Sequence, residues 1–433
     1  MRSGSLRRPG RKACLLFTLG ALLAGCGTSG TVQGGNDTFS ATTLTVYSDL
    51  PLLGPQGAQM TSIVDGEMLA LYDAGGHVGK LHVSLQSLND FPEPLIADPL
   101  HLADAQIGQS AHTASSDLST AAFIGDFDSA ATAISLPLDN QNDILQVSPG
   151  SSYVGFTDAN AADYVGDPTR FYGYGSRTFA RLVPSDLAEA KATVTYMRSL
   201  GVARLEVLED NSDPPYDLAN PPYDGVIATL VASDARAAGI TVVGQHTGID
   251  TQTDTRPGDY SGIAAAVAAR HPDAVLLGGA PDGGADALWR ELHAKLPGAK
   301  LFAPSTLATP AFLGRLGPAA SATYVTSSIL EPSQYPAAAQ SVFAQYRRMF
   351  SLSPTAYVLY GYDAMNDILL AIRKAGRLAA RRQSLLYAFF HLGPIKGAIG
   401  DYTINASGDT SLASFDGYRV SAGGELVLVR RIS

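Results

Sequence analysis

Short apolar runs alternate with longer stretches of helical spacing along most of the chain. From Ala121 to Ser152 the order is an apolar run, Ala121 to Ile124; a polar loop, Gly125-Asp126-Phe127-Asp128; helix-forming residues, Ala130 to Ser135; a second apolar run, Ile144 to Val147; and a second loop, Ser148-Pro149-Gly150-Ser151-Ser152. This is strand-loop-helix-strand-loop, the repeat of an open parallel sheet. Upstream, Leu44-Thr45-Val46-Tyr47 predicts a first strand, followed by a helix to about Tyr72 that Asp73-Ala74-Gly75-Gly76 stops. Leu81 to Leu85 reads as a strand and Pro99 to Thr113 as a helix. After the irregular segment Tyr153 to Ser176 the rhythm restarts, with strands at Phe179–Val183, Leu205–Leu208, Ile240–Val243, Ala274–Leu277, Lys300–Ala303 and Ala322–Ser327. Helices alternate with them, the first opened by Pro184-Ser185-Asp186. Three helices follow around Ala337–Phe350, Ala356–Ala375 and Ala379–His391, and Gly397 to Arg430 alternates glycine turns with β-like runs.

Two β/α blocks in succession, with helices and a β tail behind them, predict an α/β protein of two doubly wound parallel-sheet lobes joined by multiple crossovers. The expected first lobe is residues 43–177 plus 330–395. The second is 178–329 plus 396–433. A ligand cleft then lies between the lobes, facing the carboxyl ends of the strands.

The N-terminus adds an export signal. Arg2, Arg7, Arg8, Arg11 and Lys12 precede the apolar run Ala13–Leu22, which is too short for a stop-transfer helix. Leu23-Ala24-Gly25-Cys26 resembles a bacterial lipobox, which implies a signal peptide over 1–25 and diacylation of Cys26, enough for stable anchoring. Residues 26–42, rich in Gly, Ser and Thr, read as a flexible tether. The expected location is extracytoplasmic, on the periplasmic or outer side of a cell membrane. Cys14, the only other cysteine, lies inside the signal, so no disulfide is expected in the mature chain. The formal charge of −10 becomes about −15 once the five basic leader residues are removed, which argues against a nucleic-acid partner.

Candidate chemistry concentrates at the two loops of the opening repeat. Ser129, Gly150, Ser151 and Ser152 bring small hydroxyl residues and backbone N–H groups to adjacent strand ends. Ser129 read as an N-cap adds the positive end of a helix dipole, and together these groups match a carboxylate. No histidine spacing suits a metal and no G-x-S-x-G elbow is present. Neither an enzyme, a metal nor a cofactor is expected.

The pattern resembles the type I periplasmic binding proteins, specifically the branched-chain amino-acid (leucine/isoleucine/valine) binding group of ABC transporters. The similarity is carried by Leu53-Gly54-Pro55 through Gly66-Glu67-Met68-Leu69-Ala70 and by Asp73-Ala74-Gly75-Gly76-His77-Val78-Gly79-Lys80. It continues with Phe123-Ile124-Gly125 and Ser129, Val147-Ser148-Pro149, Tyr360-Gly361-Tyr362-Asp363-Ala364, and Asn405 to Asp409. The resemblance implies lobes that close on a small ligand like a Venus flytrap, and delivery of that ligand to an ABC permease. By the same resemblance Ser129 holds a ligand carboxylate, Gly150 offers a backbone group, Ser152 contacts the amino-acid head group and Tyr223 faces the ligand. Tyr223 lies in a loop that repeats Pro-Pro-Tyr-Asp. Gln59 stands where the family has a wall residue, and Ser305 where amino-acid binders place an acid for the ligand ammonium. Since a buried ammonium without a counter-charge costs several kcal/mol, either another acid reaches the cleft, with Asp224 and Asp282 the nearest candidates, or the ligand lacks the ammonium. A sensor or scaffold lipoprotein of the same fold, acting on a partner protein without transport, is the alternative function.

Overall fold

The computed structural model describes residues 43–54, 56–91, 99–160, 166–210, 225–249, 251, 260–279 and 284–432. Its first sheet is built from β1 (Thr43–Leu50), β2 (His77–Val78), β3 (Leu81–Asn89), β4 (Thr120–Ile124), β5 (Leu145–Ser148) and β6 (Phe179–Arg181), in the order β2-β3-β1-β4-β5-β6. Only the short β2 runs antiparallel to its neighbour. Helices α1 (Gly57–Asp73), α2 (Pro99–Ser116) and α3 (Ser129–Gln141) connect these strands. Every residue of β4 is buried, as a central parallel strand covered on both faces requires.

The second sheet follows α4 (Asp186–Ser199). It is fed by β7 (Arg204–Asp210), α5 (Val226–Ala237), β8 (Thr241–Ile249), α6 (Tyr260–Ala268), β9 (Ala274–Gly278), α7 (Ala285–Lys295), β10 (Lys300–Ala303), α8 (Pro310–Arg315) and β11 (Thr323–Ser327). The chain then returns to the first lobe as α9 (Ala337–Phe350), α10 (Tyr357–Ala375), α11 (Arg382–Phe390) and the small ribbon β12 (Ile395–Lys396) with β13 (Asp401–Tyr402). It finishes in the second lobe as β14 (Phe415–Val420) and β15 (Leu426–Ile432), giving the order β15-β14-β11-β10-β9-β7-β8. The period-2 alternation of β9 divides the core of this lobe. Val275 and Leu277 pack with Trp289 and Phe312 on one face, and Ala274 and Leu276 with Tyr196 and Val231 on the other.

The chain therefore crosses between lobes around residues 182–185, 328–336 and 403–414. Two boundaries differ from the sequence expectation. The run at Phe179, expected to open the second lobe, pairs in parallel with β5 from Gln146↔Phe179 to Ser148↔Arg181 and closes the edge of the first sheet. Residues 396–402, expected in the second lobe, stay with the first. Ala398, Ile399 and Tyr402 join its core, and the Asp363 carboxylate accepts the N–H groups of Ala398 (2.9 Å) and Ile399 (2.8 Å). An apolar run predicts a strand, but not the sheet that recruits it.

In the first lobe α1 and α10 meet backbone to backbone. A Cβ added at Gly66 would stand 2.0 Å from the Val358 carbonyl oxygen, and one at Gly361 would stand 1.9 Å from that of Ile63. This contact brings the N-terminal ends of both helices, with Gln59 and Tyr357, to the cleft.

Candidate functional site: a cleft between the lobes

The cleft has a volume of about 160 Å³. The first lobe contributes Gln59, Phe127, Gly150, Ser152 and Tyr357; the second contributes Glu189, Ser305 and Thr306; the crossovers contribute Pro184 and Ser328. Of the candidate residues from sequence, Gln59, Gly150, Ser152 and Ser305 thus line one cavity. Tyr223, Asp224 and Asp282 lie outside the described residues, as does Cys26.

Ser129 and Ser151 are positioned differently. Helix α3 begins at Ser129, and Asp128, with φ −86° and ψ 147°, holds the N-cap position expected for the serine. The Ser129 hydroxyl accepts the Tyr153 N–H at 3.2 Å, stapling the start of α3 to the second loop. The Ser151 side chain is fully buried; its hydroxyl donates to the Asp128 carbonyl (3.2 Å) and also bonds the Thr132 hydroxyl. Nor are the loop amides free, since Gly150 N–H (3.2 Å) and Ser151 N–H (2.8 Å) both donate to the Ser148 hydroxyl. That hydroxyl in turn donates to the Asp126 carbonyl at 2.6 Å, so the two loops form one cross-braced unit. Gly150 sits where they press closest. A Cβ there would meet the Phe127 ring at 2.5 Å and the Phe127 carbonyl oxygen at 2.7 Å.

Glu189 is the acid that sequence reasoning missed. It lies in the first turn of α4, 4% exposed, and lines the cleft. The backbone N–H and the hydroxyl of Ser305 each donate to its carboxylate at 2.6 Å. Burial raises its pKa to about 7, against the two Ser305 bonds, which lower it. One turn earlier, burial pushes Asp186 up to about 6, with the Ser152 hydroxyl and the Arg181 guanidinium pulling it down. Ser305 itself carries no charge; it holds an acid supplied by another element. An acid near the start of a helix is ordinarily read as a partner of the helix dipole, so nothing in the α4 sequence set Glu189 apart.

Behind the first loop, Asp49, Asp90 and Asp126 each bring one carboxylate oxygen to within 4.8 Å of the others, all buried. Burial and the neighbouring acids raise Asp90 to about 9; burial raises Asp49 to about 7 and Asp126 well above its usual range. The three stand at the ends of three different strands, and no sequence spacing announced them.

The two lobes, their strand order and a cleft at the strand carboxyl ends define the type I periplasmic binding fold. A model of the periplasmic binding protein family matches residues 105–424, and the chain belongs to that family of solute-binding proteins. Among solved structures it is similar to a leucine-binding protein from Thermotoga maritima (TM-score 0.69, 19% identity, covering 90% of this chain and 98% of that one). It is also similar to a branched-chain amino-acid transporter substrate-binding protein from Streptococcus pneumoniae in complex with isoleucine (TM-score 0.67, 15% identity, 89% and 99% covered). A third is an ABC-transporter solute-binding protein from R. palustris in complex with benzoate (TM-score 0.66, 17% identity, 90% and 96% covered). No curated protein sequence matches the chain. Among the described residues no helix is long and apolar enough to cross a membrane.

Proposed function

We propose that the protein is exported, anchored through a lipid on Cys26, and captures a small amino acid in the interlobe cleft for delivery to an ABC permease. The observation that carries the choice of ligand is Glu189. Without a cleft acid the residues favoured a plain carboxylate; a buried carboxylate on the second lobe, facing Gln59, Gly150 and Ser152 across the cavity, supports a ligand with an ammonium as well. In this reading the first lobe binds the solute's carboxylate end and Glu189, oriented by Ser305, pairs with the ammonium as the lobes close. Closure excludes water and strengthens both contacts. The isoleucine bound by the S. pneumoniae neighbour supports the same class, while benzoate in the R. palustris neighbour supports the plain-acid alternative.

The test is a thermal-shift comparison of L-leucine and L-isoleucine with their deaminated acids and with benzoate, on protein lacking residues 1–26. A ligand at a hundred times its Kd adds about 2.7 kcal/mol of stability. The amino acids are expected to raise the melting temperature and the deaminated acids to do so weakly. Glu189→Gln should cost the amino acids about 2 kcal/mol or more of binding and leave the deaminated acids unharmed. A wild-type protein that prefers the deaminated acids or benzoate would overturn the ammonium assignment. Absence of acylation at Cys26 in protein recovered from membranes would overturn the anchor.

A further inference from the structure

A second cavity, of about 410 Å³, lies along the crossovers and is within the size range of small-molecule sites. It shares only Pro184 and Ser328 with the cleft, so the crossover segments form a partition between the two spaces. Its walls come from both lobes, Asp401 from β13 of the first and Arg431 from β15 of the second. Leu330, Leu412, Ile399 and the ring of Tyr335 supply apolar surface.

Among the described residues two charges in this lining form no salt bridge, although each faces an opposite charge across its own ladder, Asp401 facing Lys396 and Arg431 facing Asp416. Arg431 gives one N–H to the Gln334 side chain at 3.2 Å, and among the described residues its guanidinium meets no carboxylate. A guanidinium has five donors, and in this exposed residue the others are open to solvent or to a ligand. Asp401 likewise forms no salt bridge among the described residues. An exposed cation and an exposed anion on opposite lobes, around an apolar floor, match a molecule that carries both charges and an apolar body.

We infer that this cavity is a second solute site, for a small zwitterion with an apolar side chain. The solute's carboxylate pairs with Arg431, its ammonium with Asp401, and its side chain covers Leu330, Leu412 and Tyr335. The partition couples this site to the cleft. The Ser328 carbonyl accepts the Tyr360 hydroxyl of the first lobe at 3.0 Å, the Ile329 carbonyl accepts the Tyr418 hydroxyl of the second at 3.3 Å, and the Glu331 N–H donates to Asp416 at 3.0 Å. A lobe rotation that reshapes one cavity moves this segment, and hence the other cavity. Each solute then changes the other's affinity by the same factor.

Equilibrium dialysis with radiolabelled L-leucine and L-phenylalanine tests this, and the wild-type stoichiometry reads the second site separately from the cleft assignment. The wild type is expected to bind more than one equivalent of at least one probe. Ser152→Trp, which fills the cleft, should retain one equivalent, and adding Arg431→Ala with Asp401→Ala should weaken that remaining site tenfold or more. In the wild-type background the same two substitutions should remove one equivalent and shift the remaining affinity. A wild type that binds at most one equivalent, with stoichiometry and affinity unmoved by the Arg431 and Asp401 changes, overturns the site. So does a folded Ser152→Trp variant that binds neither probe.

Discussion

At the residue scale the cleft turns on which way a few side chains face. The serine-rich loop after β5 was legible in the sequence as a loop at a strand end. Which of its hydroxyls reaches the cavity was not, because neighbouring loop residues point in directions that tertiary bracing decides. Ser152 lines the cleft while Ser151 is spent on Asp128 and Thr132. Gly150→Ala forces Phe127 and its loop away from the second loop; the expected result is at least a tenfold loss of ligand affinity by calorimetry with near-native circular dichroism. Glu189 makes a pH prediction. Its pKa of about 7 leaves it largely protonated at pH 6 and ionised at pH 8. Pairing with an ammonium needs the ionised form, so amino-acid affinity should rise with pH from 6 to 8, by no more than about tenfold per unit, since one proton is involved. Glu189→Gln should flatten that rise, and a wild-type profile already flat would count against Glu189 as the ammonium partner.

At the scale of elements, strands and helices were the most legible part. Helix α9 occupies the predicted span, Ala337–Phe350, and the strand signals at Phe179, Leu205, Ala274 and Lys300 all correspond to strands. What the local pattern lacks is information on partners. Phe179–Arg181 could not declare its sheet, because pairing with β5 is a long-range event anchored by buried Arg181. That guanidinium donates to the Tyr153 carbonyl (2.7 Å), 28 residues away, and to the Asp409 carboxylate (2.8 Å), 228 residues away. The meeting of α1 with α10 is likewise invisible in either helix alone, although the two glycines that permit it stand in the sequence. Gly361→Ala puts a methyl group into the Ile63 carbonyl, and overpacking of this kind costs roughly 1–3 kcal/mol. Chemical denaturation should report that loss. Since α1 and α10 carry Gln59 and Tyr357, weaker binding should accompany it.

For the whole molecule, the unusual property is the number of carboxyls whose pKa burial raises. Besides Glu189 and Asp186, burial raises Asp49 and Asp363 to about 7, Glu67 to about 8 and Asp90 to about 9. In the unfolded chain these groups titrate near pH 4. Each therefore contributes stability that is fully present below about pH 4 and is lost as pH rises through its folded value. The melting temperature of the unliganded protein should fall between pH 5 and pH 9, and Asp90→Asn should flatten the upper end of that fall. A melting temperature that climbs across the window would mean that these acids are ionised in the folded state.

The return of the chain to the second lobe has a consequence for how the protein is made. β11 finds its neighbour β14 only after the chain has built most of the first lobe's helical layer, and the tie from Arg419 to the Ser321 carbonyl closes a loop of 98 residues. Contacts so distant in sequence form slowly. A ribosome or a translocon delivering this chain from its N-terminus presents the β11 edge bare until residues 415–432 emerge. A fragment ending at Ser327 is then expected to aggregate through that edge, whereas the same fragment supplied with a synthetic 415–432 peptide should stay soluble. Each lobe has its own core, but the second is finished by the last strands to arrive, so chaperone dependence should track the interval before they do.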